Sequence, residues 1–415
     1  MNGARLRAIV VAAALAAAGP LPGTLSNAAA ADCDAVCQAW QQQRQDALPR
    51  TSFYQAPDPL PPGAPGRLIR QEITSGYRVQ GNPVAATRIL YHSRTSTGRD
   101  VAVSGVVLVP PGTPPVGGWP VVVDAHGTSG IGRDCAPSLM RDLYHGDQML
   151  QFAGRGWAVV APDYAGMGTT GRVEFLNATA EANDVIDALR AAQQALPALS
   201  HRWVLWGHSQ GGGAALAVAQ RQVSQPEPGY LGAVVTAPAA DLTSAVIGAA
   251  ASPGLGGFLA LIAKGAAESD PAIDPRRVLT AEALKHLGVT QAGCLGVVTA
   301  IYAGLTGPAL VRPGYLTASH LAGYLARNST GHQAVAGPVL LLQGDADVVI
   351  TRTATDQVAA ALRRSGVTVD YRTYPGLGHD TIPGQVTGID DGAMPDILSW
   401  IADRFAYGST EIMGR

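Results

Sequence analysis

Trp203-Val204-Leu205-Trp206 runs into Gly207-His208-Ser209-Gln210-Gly211-Gly212-Gly213, and the Ala-rich stretch Ala214 to Ala219 follows. Four apolar residues bounded by glycine read as the end of a buried strand, and the run behind the glycines reads as a helix. Between them, G-x-S-x-G sets one serine in a turn so tight that its backbone is strained. Such a turn is tolerable only where the residues two before and two after carry no side chain. Gly207 and Gly211 meet that demand. Strand, turn and helix in this order present Ser209 Oγ at the carboxyl end of a parallel sheet, the arrangement of a nucleophile elbow.

The surrounding sequence repeats the same alternation. Short apolar runs bounded by Gly or Pro, the signature of strands buried on both faces, lie at Pro120 to Ala125, Trp157 to Ala161, Trp203 to Trp206, Ala233 to Thr236, Val339 to Leu342 and Val367 to Tyr371. Helical segments fall between them at 178–195, 211–223, 354–364 and 395–404, so the fold class is α/β with a mostly parallel, doubly wound sheet. Upstream, Ile69 to Val79, Ala85 to Ser93 and Val101 to Val109 alternate β-branched and aromatic residues between turn signals and predict antiparallel edge strands. About 95 residues, Thr243 to Gly337, separate two consecutive strands where a few would suffice. They predict an inserted helical cap, with helices over 246–263 (broken at Pro253), 275–287 and 316–326. An insertion after a parallel strand sits above the sheet's carboxyl end, where such folds carry their ligands.

The N-terminus begins with Arg5 and Arg7, continues as an Ala/Val/Leu/Ile run from Ala8 to Ala18 and reaches small residues at Ala28 to Ala31. This predicts a secretory signal peptide over 1–31. Asp32 before Cys33 argues against a lipid-modified cysteine. Residues 32–66, polar and then Pro-rich, predict an extended surface arm; 67–242 and 338–415 form the core, and 243–337 the cap or lid. No later run has the ~20 apolar residues of a membrane span. A net charge of −2 leaves no nucleic-acid footprint. The expected product is secreted and monomeric, with transient contact at a lipid interface. Export makes disulfides the fate of Cys33, Cys37, Cys135 and Cys294. Three connectivities are open; the nearness of the first two favours Cys33–Cys37 with Cys135–Cys294.

A serine hydroxyl needs a base, and in this arrangement the partners follow in the order Ser, acid, His. Of the histidines after the elbow, His286, His320 and His332 fall in the cap or just before the next strand. His379 instead sits in Pro375-Gly376-Leu377-Gly378-His379, directly after the last strand, and is the base. The acid belongs in Gly344-Asp345-Ala346-Asp347, after the strand Val339 to Leu342. Spacing selects Asp347, leaving Asp345 as a turn residue bonding its own backbone. An ester carbonyl under attack becomes an oxyanion that two amides must meet: Gln210, next to the nucleophile, and Thr128, in the loop His126-Gly127-Thr128-Ser129-Gly130. His126 is expected to fix that loop. Gly166-Met167-Gly168-Thr169-Thr170-Gly171 matches G-x-G-x-x-G, yet Pro162-Asp163-Tyr164 intervene after the strand and no helix opens at Gly171, so no dinucleotide cofactor is expected. No H-E-x-x-H or similar spacing calls for a metal.

With H-G-T-S-G at His126 to Gly130, A-P-D-Y-A-G-M-G at Ala161 to Gly168, G-H-S-Q-G-G at Gly207 to Gly212, G-D-A-D at Gly344 to Asp347 and G-L-G-H at Gly376 to His379, the chain resembles the secretory lipase family, Candida antarctica lipase A-like members of the α/β-hydrolase superfamily. The resemblance implies the α/β-hydrolase fold, a helical cap carrying the acyl pocket, and a cystine tying the loop after the oxyanion strand to the cap, which fits Cys135 and Cys294. It implies a serine carboxylic-ester hydrolase, lipase or esterase, acting on an ester or lipid substrate. H-G-T stands where the family has an aspartate as oxyanion donor. Two other readings compete: a Ser-dependent exopeptidase of the same fold, which would need cap acids to grip an amine, and a catalytically inactive binding module, which usually lacks a triad member.

Overall fold

The computed structural model describes residues 33–317, 320–381 and 385–410; the expected signal peptide lies outside them. Nine strands form one sheet, β1 (Leu68–Val79), β2 (Asn82–Arg94), β3 (Asp100–Leu108), β4 (Trp119–Ala125), β5 (Ala158–Pro162), β6 (Leu199–His208), β7 (Tyr230–Thr236), β8 (Val339–Gly344) and β9 (Val369–Tyr374), in the order β1-β2-β3-β5-β4-β6-β7-β8-β9. β1 to β3 pair antiparallel and β3 joins β5 antiparallel; from β5 to β9 every pairing is parallel. The mostly parallel α/β-hydrolase sheet expected from the sequence is the sheet observed.

The parallel strands are apolar throughout because each feeds two cores. Val121 and Val123 join one cluster with Leu205, Val235 and Leu341; Val122, Val204, Trp206, Val234 and Leu340 join the other. The first face is covered by α3 (Ala178–Ala195), α4 (Gln210–Ser224) and α11 (Arg352–Arg364), the second by α2 (Gly146–Gly154), the short α12 (Ile389–Gly392) and α13 (Met394–Thr410). Burying alternate residues of one strand against opposite layers erases the polar–apolar alternation of a one-sided sheet.

The chain turns from β5 over β4 to β6, so the order reverses beside β4. Register there pairs Ala125 with Gly207, and further along His208 with Thr236 and Thr236 with Leu342. The carboxyl ends of β4, β6, β7 and β8 are therefore level, and their loops converge on one spot above the sheet, the position where open α/β sheets carry ligands.

Between β7 and β8 lie α5 (Leu242–Ala251), α6 (Gly256–Ser269), α7 (Pro275–Val278), α8 (Ala281–Lys285), α9 (Leu295–Tyr302) and α10 (Leu321–Asn328). The break at Pro253 separates α5 from α6, but the helix expected over 275–287 is two short pieces followed by a 3-10 turn, Leu287–Gln291. α9 was not foreseen: Leu295-Gly296-Val297-Val298-Thr299-Ala300-Ile301-Tyr302 carries almost no polar residue to mark a helical period. Leu259, Leu261, Val298 and Tyr302 join the core cluster of the α3/α4 face, so this helical unit is continuous with it.

The expected extended arm is in part helical. α1 (Ala35–Asp46) is capped by Asp34, whose side chain accepts from Cys37 N–H, and packs on α9; Gln43 donates to Ala292 O and accepts from Cys294 N–H. Phe53 and Tyr54 then sink into the core, Tyr54 Oη donating to Ser138 O. The Pro-rich run after them masked these anchors in the sequence. Disulfides join Cys33 to Cys37 and Cys135 to Cys294.

Candidate functional site

Ser209 stands between β6 and α4 at φ 58°, ψ −117°, a backbone conformation that costs an L-residue of order 1–3 kcal/mol. The turn around it leaves no room for side chains: a Cβ on Gly207 would lie 2.1 Å from Gly211 O, and one on Gly211 only 1.7 Å from Ala125 O. The elbow is held from below by Ser209 N–H donating to Thr236 O and from the side by Ala239 N–H donating to Ser209 O.

Ser209 Oγ lies 2.8 Å from His379 Nε2, and His379 Nδ1 lies 2.7 Å from Asp347 Oδ2. The three residues are almost closed to solvent, at 7%, 7% and 5% exposure. Asp347 Oδ1 accepts from the Val349 and Ile350 N–H groups, 2.8 Å each, and Oδ2 also from Gln343 Nε2 at 3.0 Å. Burial pushes this carboxyl up, but the facing His379 and these donors outweigh it and hold it below the usual range. Burial in turn disfavours a charged His379, yet Asp347, Asp380 and Asp390 overcome it and raise the imidazole to about 9. A carboxylate fixed behind an imidazole sets its tautomer, with Nδ1 protonated and Nε2 free to take the serine proton.

Asp345 does not join this group. Its Oδ1 accepts from Gly376 N–H at 2.7 Å, so it braces the loop that carries His379 rather than bonding its own turn.

The loop 126–130 lies beside the elbow: a Cβ on Gly127 would come 3.6 Å from Ser209 Cβ. Among the described residues neither the Thr128 nor the Gln210 N–H donates to any protein acceptor. Thr128 O is held by Tyr144 Oη at 2.8 Å. His126 turns its Nδ1–H back to Gly127 O, 2.6 Å, with its ring tilted against Tyr164, and burial lowers it to about 4, so it stays neutral and fixes the loop. Gly130, at φ 130°, packs against Cys135 Sγ and Cys294, and Ser129 O accepts from Leu295 N–H at the start of α9. The cystine therefore sits directly behind this loop.

Two supporting residues were not read from the sequence. Gln343, next to last in β8, has its amide nitrogen within 3.0 Å of Asp347 Oδ2, Gly344 O and Ile350 O, while Thr355 Oγ1 donates to its oxygen; a lone glutamine following Val339-Leu340-Leu341-Leu342 was its available signal. His208 donates from Nε2 to His379 O, 3.2 Å, tying the elbow to the histidine loop. Burial and the nearby His379 depress it to about 3, so it acts as a neutral donor. A cleft of about 470 Å³ opens near α6, lined by Arg172, Lys264, Glu268 and Leu287; none of the three bonded residues lines it. Among the described residues no cluster of His, Cys, Asp and Glu could hold a metal ion.

The arrangement can take a proton from a serine hydroxyl through an imidazole held by a carboxylate. A family profile described as Secretory lipase matches residues 148–413, more than half the chain. The chain belongs to the secretory lipase family. It is accordingly a carboxylic ester hydrolase. Candida antarctica lipase A has a similar fold, with a TM-score of 0.68 at 18% identity over 81% of this chain and 83% of that one. So has a rice cell wall degrading esterase, LipA from Xanthomonas oryzae, with a TM-score of 0.63 at 20% identity over 84% and 98%. No curated protein matches in sequence. Within the family profile fall Ser209, Asp347 and His379; Thr128 precedes it. No helix among the described residues is long and apolar enough to cross a membrane.

Proposed function

We propose that the chain is a secreted serine hydrolase that cleaves acyl esters through an acyl-enzyme intermediate, with Ser209 as nucleophile, His379 as general base and acid, and Asp347 orienting the imidazole. The observation that carries this reading is the pair of hydrogen bonds, 2.8 and 2.7 Å, linking the three side chains on a serine held in a strained conformation. Ser209 Oγ attacks the carbonyl carbon while its proton passes to His379 Nε2. The oxyanion that forms is met by the amides of Gln210 and Thr128. His379 returns the proton to the leaving alcohol, and water, activated by the same imidazole, releases the acid.

Residues 243–337 act as a cap whose apolar helices carry the acyl pocket. The two disulfides support export to an oxidising compartment. Against the exopeptidase reading, each cap acid already has a cation: Glu268 has Lys264 and Arg172, Asp270 has Arg327, Asp274 has Arg276, and Glu282 has Lys285. None is left to grip a substrate amine. Incubation with a fluorophosphonate probe tests the assignment: labelling at Ser209, lost in Ser209→Ala, is expected. An unlabelled protein would be a binding scaffold. A chain-length series of p-nitrophenyl esters then reads the pocket.

A further inference from the structure

Glu181 stands in the first turn of α3, 4% exposed, with no cation beside it among the described residues. One of its oxygens, Oε1, accepts from Gln210 Nε2 at 2.7 Å and from Leu176 N–H at 2.9 Å. Gln210 is the first residue of α4 and only 3% exposed. Leu176, at φ 56°, belongs to a loop that meets the cap: Tyr324 Oη donates to Phe175 O at 3.0 Å, and Gly265 of α6 leaves room for Phe175 by having no side chain. A single carboxyl oxygen thus joins the nucleophile elbow to the segment on which the cap rests. Behind it lies a cavity of about 10 Å³, the size of one water, lined by Tyr164, Glu174, Glu181, Asp184 and Gln210.

We propose that Glu181 is a positioning residue for ester hydrolysis: its carboxyl clamps the Gln210 side chain to the 172–177 loop and so fixes the direction in which the Gln210 amide points. The inference rests on the reading of Gln210 as an oxyanion donor. The carboxyl works as a neutral acid. The titratable groups facing it are Asp184 on its own helix, Glu174 and Tyr164 from the connection between β5 and α3, and Tyr324 from α10; none supplies a positive charge. Burial, reinforced by Asp184 and only partly offset by the Gln210 and Leu176 donors, raises it to about 8. Ionisation would leave a buried anion with no counter-charge and draw water into the cavity behind Gln210.

The amide of glutamine reproduces a neutral carboxylic acid in shape and can accept the same two N–H groups through its oxygen. Leucine fills the volume and accepts neither. The test is turnover of p-nitrophenyl butyrate by wild type, Glu181→Gln, Glu181→Leu and Ser209→Ala. Expected is a kcat for Glu181→Leu about ten-fold low, short of the roughly hundred-fold cost of deleting an oxyanion donor, with KM within about two-fold. Glu181→Gln should keep kcat within about two-fold near pH 7, and the ratio of its kcat to that of wild type should climb as pH rises through about 8, a ratio from which the titration of His379 cancels. Wild-type kcat in Glu181→Leu, or a Glu181→Gln no better than Glu181→Leu, overturns the proposal. If Glu181→Leu does not fold, the Glu181→Gln ratio decides alone: a flat ratio overturns it. An inactive Ser209→Ala beside an unaffected Glu181→Leu removes the clamp and leaves the mechanism standing; an active Ser209→Ala removes the mechanism itself.

Discussion

Removing the Ser209 hydroxyl takes away one hydrogen bond, to His379, and nothing that the elbow rests on, since its supports are backbone groups. Ser209→Ala should therefore melt as wild type does while losing on the order of 10⁶-fold in kcat, and His379→Ala should lose about as much because the residues act as a unit. Appreciable ester turnover by either variant would exclude the proposed chemistry. The two aspartates of the β8 loop separate cleanly. Asp347→Asn forfeits the acceptor that sets the imidazole tautomer and should cost about 10⁴-fold. Asp345→Asn still offers an oxygen to Gly376 N–H and should cost little; a reversed ranking would make Asp345 the acid. Charge adds a pH signature. Because Asp347 raises His379 to about 9, the free base appears only as pH climbs, so kcat/KM should rise across the alkaline range. In Asp347→Asn the rising limb should move to lower pH, measured on the residual activity.

Among the glycines, the same substitution has opposite consequences in two helices. An alanine methyl at Gly211 would overlap Ala125 O, a backbone atom that cannot yield without parting β4 from β6, so Gly211→Ala should fail to give active, stable protein. At Gly248, in the middle of α5, a Cβ would meet no atom within 4 Å beyond its own helix among the described residues, and alanine should leave Tm unchanged or raise it, the helix-propensity gain being about 1 kcal/mol. Thermal melts of the pair check both. The Cys135–Cys294 bridge closes a span of 159 residues, worth about 5 kcal/mol in the chain-entropy account. Since it also backs the 126–130 loop, reduction should change chain-length preference among p-nitrophenyl esters before it abolishes turnover of the short ones. Much of this was legible because it is local. The buried strands announce themselves as apolar runs, and the elbow, the Asp347 turn and the His379 loop are each contiguous. What could not be read depends on partners far along the chain: Glu181 answers to Gln210, 29 residues on, and α1 to α9. α9 itself escaped because a helix apolar nearly all round has no face to reveal its period.

Taken as a whole, the molecule carries buried carboxyls that make its stability fall as pH rises. Burial raises both Glu181 and Asp184 to about 8. The folded state then holds protons that the unfolded chain gives up near pH 4, so stability present below that value is lost as pH rises through about 8. Asp347 has the opposite sign: held below its ordinary value, it stabilises at neutral pH and loses that contribution only as pH falls through the acid range. Asp184→Asn, whose oxygen can accept from Ala165 N–H and whose amide can donate to Ser93 Oγ, should flatten the decline of Tm between about pH 4 and pH 8. Parallel slopes for variant and wild type would mean that Asp184 is ionised throughout.

The short spacing of the first cysteine pair also bears on how the chain comes into being. A polypeptide emerges from its N-terminus, and thiols exchange partners as soon as they meet an oxidant. Cys135 is displayed long before Cys294, the thiol it must meet. In that interval the only other cysteines present are Cys33 and Cys37, four residues apart in the sequence, and in the folded chain they are joined to each other. Their ring is thus a form of quarantine: it withdraws from circulation the two sulfurs that could have captured Cys135, and keeps it in reserve for a partner that has not yet been made.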